Sequence, residues 1–138
     1  MLVEVLLSVV LIAALSAITI PIYQSFQLRN DLELAVETVS QTLRRAQVLA
    51  ESVSSDAPWG VFVSSTGITL FQGSSFLSRV TSSDEVFDLP STIFPGGLQE
   101  FVFLKFSGEP QATGTLTLTS SGQDTRSVSV NSKGVVTY

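Results

Sequence analysis

The first twenty residues of the chain are almost entirely apolar. The run from Met1 to Ile20 contains one charged residue, Glu4, and its neutral polar residues are two serines and one threonine. As a helix it would be about 30 Å long, which is the thickness of the hydrocarbon core of a bilayer. A core helix of a soluble domain carries a polar stripe, and this run has none. The pattern therefore predicts a membrane-spanning helix.

A cleavable secretory signal is the alternative interpretation of this run. Such a signal has basic residues first, then a short apolar region and a cleavage site of small residues. Here no Lys or Arg precedes the run, and the apolar region is longer than usual. The first basic residue is Arg29, on the far side, and taken alone this charge bias favours a cytoplasmic C-terminal part. A basic leader removed from the front would reverse that expectation.

Pro21 ends the apolar run. Proline has no N–H to donate to the carbonyl of Ala17, and its ring clashes with that carbonyl. We therefore expect the helix to kink or to unwind locally near residues 17–21.

Beyond Pro21 the apolar positions recur at spacings of three and four, which predicts an amphipathic helix half over residues 28–53. Its apolar face comprises Leu28, Leu32, Ala35, Val36, Val39, Leu43, Ala46, Ala50 and Val53. A helix from residue 1 to about 53 would be roughly 80 Å long, and less than half of it fits in a bilayer. The remainder must pack its apolar face against something outside the membrane.

From Trp59 onward the apolar pattern changes to a period of two residues, which is typical of strands. Strands are predicted at 60–64, 68–71, 101–106, 115–119, 127–130 and 135–138, with shorter ones around 76–80 and 86–89. The apolar faces of the resulting sheet need cover, and the helix face at 28–53 is available. The predicted fold class is α+β. A long N-terminal helix spans the membrane with its first half and packs its second half on an antiparallel β-domain, residues 59–138.

The residue types present limit the enzyme chemistry that the chain can perform. The chain has 138 residues with no Cys and no His, so thiol redox chemistry is excluded and the commonest general base and zinc ligand is missing. The net charge is −5 and the few basic residues are scattered, so nucleic acid is not an expected partner. Asp84, Glu85 and Asp88 form an acidic cluster whose spacing matches no calcium loop, which favours a solvated turn. We expect no catalytic site, cofactor, metal or small-molecule substrate.

The sequence LVEVLLSVVLIAALSAITIPIY at residues 2–23 strongly resembles the mature N-terminus of type IV pilins and of type II secretion pseudopilins, with Leu2, Val3, Glu4 and Pro21 on the family's pattern. The later segments LRRAQVLAE, PWGVFV, FSGEP, GTLTL and VNSKGVVT resemble those of H-type minor pseudopilins and their minor-pilin relatives. Two features depart from the family. The glutamate is the fourth residue rather than the fifth, and the cysteine pair of many pilins is absent.

The resemblance implies a structural subunit that polymerises through its N-terminal helix (residues 1–27) and carries a globular domain (residues 28–138). The implied product is a type IV pilus-like filament for adhesion, motility or uptake. The alternatives are a minor pseudopilin of a secretion pseudopilus and a plain membrane-anchored binding domain. The implied partners are further copies of the chain, other pilins, a prepilin peptidase and the pilus assembly machinery. The implied location is the bacterial inner membrane before assembly and an extracellular filament afterwards.

Glu4 is the residue for which this resemblance implies a role. A charge in the middle of a bilayer costs about 2.5–3.5 kcal/mol, and a positive partner about 4 Å away returns roughly 4 kcal/mol at an effective dielectric near 20. The resemblance implies that this partner is the N-terminal amine, at Met1, of an adjacent subunit. The alternative is that Glu4 lies at the membrane edge, where the helix dipole mildly favours an acid.

For Pro21 the resemblance implies a weak point in the helix that unwinds on assembly. The alternative is a kink that fits the helix around the sheet.

Overall fold

The computed structural model describes residues 1–17 and 22–138, and the side chains of residues 18–21 lie outside that description. One helix, α1, comprises Leu2–Glu51 and is about 75 Å long at 1.5 Å per residue. It ends slightly earlier than predicted, because the backbone enters the left-handed region at Val53, where φ is 54°. The predictions made for Pro21 lie outside the described residues.

Eight strands follow the helix and form two antiparallel sheets. They are β1 (Trp59–Ser64), β2 (Gly67–Gln72), β3 (Glu85–Asp88), β4 (Ile93–Gly97), β5 (Glu100–Phe103), β6 (Gly114–Ser120), β7 (Thr125–Val130) and β8 (Val136–Thr137). The first sheet has the order β3-β2-β1-β5 and the second has the order β4-β6-β7-β8. The predicted α+β class, with a long N-terminal helix on antiparallel sheets, is confirmed.

The second half of α1 packs on both sheets. Its buried apolar side chains are Leu32, Ala35, Val36, Val39, Leu43, Ala46 and Ala50. They share one core with side chains of both sheets, among them Val61 and Phe101 of the first and Leu116 and Val128 of the second. Leu28 is half-buried at the edge of this core. Since the buried positions follow a helical period, one face of α1 is covered and the opposite face is left open.

Two segments differ from the prediction. Residues 76–80 form no strand, because Arg79 Nη1 donates a 2.7 Å hydrogen bond to the carbonyl of Phe76 and closes a turn. The ring of Phe76 stacks on that of Phe62, with 4.1 Å between the centroids. Conversely, β4 is a strand that the sequence did not predict, since Pro95 lies inside it. β4 is an edge strand of its sheet, where the missing proline N–H breaks no ladder hydrogen bond.

The strand predicted at 101–106 is shorter than expected. β5 ends at Phe103, and the chain then turns through Phe106, whose φ is 71°. The turn is closed by a 3.0 Å hydrogen bond from the N–H of Gly108 to the carbonyl of Leu104. The N–H of Phe106 donates to the carbonyl of Ala50 at 3.1 Å. The loop therefore adds a second donor to the Ala50 carbonyl, which also accepts a 3.2 Å hydrogen bond from the N–H of Val53.

Gly60 in β1 lies at a tight contact inside the first sheet. A Cβ at this position would be 2.5 Å from Cζ of Phe71 and 2.8 Å from the carbonyl oxygen of Phe101. Because the Phe71 ring is fully buried, we expect Gly60→Ala to lower the free energy of unfolding by about 1–3 kcal/mol. Gly96→Ala is the matched control, since the nearest atom to its Cβ would be 3.9 Å away. Denaturant unfolding of the full chain in detergent micelles compares the two, and equal stabilities would contradict the contact.

Candidate functional site

The N-terminal half of α1 is an exposed apolar surface. Residues 1–17 and 22–27 are all exposed, and their large apolar side chains keep 57% to 102% of their accessible surface. These side chains are Met1, Leu2, Val3, Val5, Leu6, Leu7, Val9, Val10, Leu11, Ile12, Leu15, Ile22, Tyr23 and Phe26. Continuous apolar patches of this kind mark membrane or protein contacts. The surface therefore requires cover by lipid or by other protein chains.

Ser8 and Ser16 do not interrupt the apolar character of the first seventeen residues. Ser8 Oγ donates a 2.9 Å hydrogen bond to the carbonyl of Glu4, and Ser16 Oγ donates a 2.8 Å hydrogen bond to the carbonyl of Ile12. A hydroxyl bonded to the carbonyl one turn earlier brings no unsatisfied donor into an apolar environment. Both serines are thus compatible with burial in lipid or between helices.

Glu4 is the only charged side chain in the chain before Arg29. Met1 is the N-cap of α1, and Glu4 occupies the third helical position, from which a glutamate can reach back to the N-cap nitrogen. No such bond forms. Within the described part of the chain the Glu4 carboxylate has no hydrogen bond and no ion pair, and the ion pairs all lie from Arg29 onward. The chain itself leaves this carboxylate available to a group from another molecule.

The apolar half is long enough to cross a bilayer once. The stretch from Val5 to Leu28 has no charged residue and corresponds to about 36 Å of helix. By length and composition α1 is a candidate membrane span near the N-terminus, and a signal sequence passes the same test. The apolar segment that could span a membrane lies outside the core that α1 forms with the sheets. Its apolar character therefore has no role in folding the β-domain.

Two ion pairs hold α1 where it leaves the β-domain. Arg29 Nε lies 3.3 Å from Asp124 Oδ2, and Arg126 Nη2 lies 2.7 Å from Glu33 Oε1. All four side chains are largely exposed, so each pair contributes at most about 1 kcal/mol. The pairs join residues more than ninety positions apart, and no local sequence pattern indicates them. They orient the apolar half of α1 relative to the turn between β6 and β7.

The acidic cluster is not the solvated turn that was predicted, because Glu85 and Asp88 lie in β3 and only 14% of the Asp84 side chain is exposed. Asp84 Oδ2 accepts a 2.8 Å hydrogen bond from Arg79 Nε, and Glu85 Oε1 accepts a 2.7 Å hydrogen bond from Arg45 Nη2. Asp88 is exposed and forms no ion pair with any described residue. The described residues contain no group of three or more acidic side chains placed to hold a metal ion.

Comparison with known proteins returned no match, since no protein-family model, no curated protein and no solved structure is significantly similar to the chain. The architecture is nevertheless pilin-like. A long apolar N-terminal helix extends from a domain in which its second half is packed on antiparallel sheets.

Proposed function

We propose that the chain is the structural subunit of a type IV pilus-like filament and polymerises through its N-terminal helix. The observation that carries the proposal is the exposed apolar half of α1, which contains one carboxylate without a partner in its own chain. The packed half of the same helix fixes this surface to a folded β-domain. Lipid covers the apolar half before assembly, and the same halves of other copies cover it afterwards.

Glu4 gives this polymerisation its register. Apolar side chains pack almost equally well at several axial offsets between helices, because dispersion and lipid exclusion are not directional. A carboxylate buried among them is satisfied only at the offset that brings a positive group within reach. The α-amine of Met1 in a neighbouring subunit is the proposed partner, since the apolar half contains no basic side chain. One offset is then favoured over all others.

A minor pseudopilin of a secretion pseudopilus is the second candidate. It is favoured by the resemblance of the segments at 43–51, 58–63 and 130–137 to H-type minor pseudopilins. Both candidates use the same helix and the same carboxylate. They differ in copy number, because a major pilin forms the length of the filament whereas a minor subunit is present in trace amounts.

Intact mass analysis of filaments sheared from the producing cells tests the proposal. We expect this chain to be the dominant protein of the sheared fraction, and its mass also defines the mature N-terminus. A trace amount in filaments or in a pseudopilus would favour the minor pseudopilin. A chain found in membranes and in no filament would contradict both candidates and favour a plain membrane anchor.

A further inference from the structure

A charged cleft lies where α1 leaves the β-domain, at the end of the domain nearest the apolar half. Its volume is about 310 Å³, at the lower end of the range for sites that bind small molecules. We call it the base cleft, and it is lined by Arg29, Leu32 and Glu33 of α1 and by Asp124 and Arg126 of the β6–β7 hairpin. Leu32 is buried, and the four charged side chains are largely exposed. The cleft therefore presents two positive and two negative groups to its surroundings.

The two ion pairs of the base cleft leave hydrogen-bonding groups free on both signs of charge. Arg29 contacts Asp124 through Nε, and its two Nη groups have no partner among the described residues. Each carboxylate accepts through a single oxygen, Oδ2 of Asp124 and Oε1 of Glu33. A guanidinium has more N–H donors, and a carboxylate more acceptor sites, than one ion pair uses. A ligand can therefore bind both kinds of group while the pairs persist.

The base cleft lies at the depth of the lipid headgroups when the apolar half spans a bilayer. An unpaired carboxylate costs least at the edge of the hydrocarbon core, which places Glu4 at one boundary. Arg29 follows Glu4 by 25 residues, which is about 35 Å along the membrane normal for a helix tilted by about 20°. The hydrocarbon core is about 30 Å thick, and each headgroup layer adds about 5–7 Å. Arg29 therefore lies in the headgroup layer on the side of the β-domain.

Exposed apolar side chains on α1 lead from the bilayer to the base cleft. Residues at spacings of three and four lie along one face of a helix, and this face carries Ile22, Phe26, Arg29 and Glu33. Ile22 is 65% exposed and Phe26 is 71% exposed. A lipid whose acyl chain lies against these two side chains has its headgroup beside Arg29 and Glu33. The bilayer itself thus brings a headgroup to the cleft.

The charges of the base cleft select a headgroup that carries both signs. The two arginines suit a phosphate, and the two carboxylates suit a cation with N–H donors. A primary ammonium has such donors. A quaternary ammonium has none and is recognised by aromatic rings, which the described lining of the cleft lacks. Two further carboxylates of the same part of α1, Asp31 and Glu37, disfavour a headgroup with a net negative charge.

We propose that the base cleft binds the headgroup of phosphatidylethanolamine, with the phosphate at Arg29 and Arg126 and the ammonium at Asp124 and Glu33. The site rests on the membrane-embedded stage of the proposed function, and it names the lipid that the subunit binds before assembly. A headgroup held beside the β-domain fixes the depth at which the apolar half lies in the bilayer. The lipid leaves when other copies of the chain cover the apolar half.

Native mass spectrometry of the full chain tests this site. The chain is purified in detergent micelles and mixed with equal amounts of phosphatidylethanolamine, phosphatidylcholine and phosphatidylglycerol that have the same acyl chains. The lipids that stay bound are identified by mass. We expect several-fold more phosphatidylethanolamine than either other lipid, because it alone presents a phosphate together with a primary ammonium. Equal retention of the three lipids, or a preference for either of the other two, would overturn the site.

Variants of the base cleft test the two parts of the headgroup separately. Glu33→Gln combined with Asp124→Asn should remove the preference for phosphatidylethanolamine over phosphatidylcholine, and an unchanged preference would contradict the site. Arg29→Gln combined with Arg126→Gln should lower the retention of both lipids several-fold. Lys133→Gln is the matched control, since it breaks an exposed ion pair near the C-terminal end of α1, and it should keep the wild-type preference.

The lipid measurement is independent of filament formation, because it uses the purified subunit. A chain that prefers phosphatidylethanolamine but is absent from sheared filaments would support the lipid site and overturn the filament function. A chain that forms filaments but retains the three lipids equally would overturn the lipid site and leave the filament function standing.

Discussion

Glu4→Ala is expected to leave the chain in the membrane and to abolish its incorporation into filaments. The apolar half loses no side chain that it needs to enter a bilayer, so membrane content stays the same. Assembly would lose the proposed ion pair with the Met1 amine of the neighbour, which is worth roughly 4 kcal/mol before desolvation at an effective dielectric near 20. If desolvation cancels half of this free energy, removing the pair still lowers the affinity between subunits about thirtyfold. Immunoblots of sheared filaments and of membranes from the same cells measure both quantities.

Two further variants identify which property of Glu4 matters. Glu4→Gln keeps the size and the hydrogen-bonding capacity of the side chain but removes its charge, and we expect it to fail as Glu4→Ala does. Asp56→Asn removes an exposed carboxylate that pairs with Lys105 outside the helix, and it should assemble normally. Normal filament yield from Glu4→Ala would contradict the docking role. Normal yield from Glu4→Gln alone would assign the role to hydrogen bonding.

Leu43→Ala is expected to destabilise the globular domain by about 2–5 kcal/mol, the range for removing a large apolar side chain from a core. Leu43 is 0% exposed and belongs to the core that joins α1 to both sheets. The truncated side chain leaves a cavity between the helix and the strands. These elements cannot easily move together to close it. Urea unfolding of the full chain in detergent micelles, followed by the fluorescence of Trp59, measures the loss.

Val48→Ala is the matched control for this prediction. Val48 lies on the same helix but on the face opposite the core, with 60% of its surface exposed. Exposed substitutions of this kind usually change stability by no more than about 0.5 kcal/mol. Equal losses from Leu43→Ala and Val48→Ala would contradict the assignment of the buried face.

The helix and most strands could be predicted because their signals are local. A helical period from Leu32 to Ala50 and a period of two at 115–119 each reflect one buried face, and a single sequence contains that information. The strand β4 was missed because Pro95 is a strand breaker everywhere except at a sheet edge, and edge position depends on the whole topology. The predicted strand at 76–80 failed because Phe76 is held by an aromatic stack and a turn rather than by a neighbouring strand.

The candidate site was predictable in part for the same reason. An isolated Glu4 in an apolar run is visible in the sequence, and the structure adds that its own chain provides no partner. The contacts of Arg44 and Arg45 on α1 were not predictable. Arg44 and Arg45 are adjacent in sequence, yet one lies beside a ring near the C-terminus and the other pairs with β3. Which of them forms an ion pair depends on where Glu85 and Tyr138 fold, and these are long-range contacts.

The row of contacts between α1 and the sheets has a mechanical consequence. It extends from Leu32 to Ala50, which is about 27 Å along the helix. In the proposed filament, axial tension would pull on the N-terminal half of α1 parallel to this row, so all of its contacts would bear the load together, in shear. A force perpendicular to the row would instead break these contacts one after another. In such a filament the long shared helix would let a small β-domain withstand axial force without depending on any single strong bond.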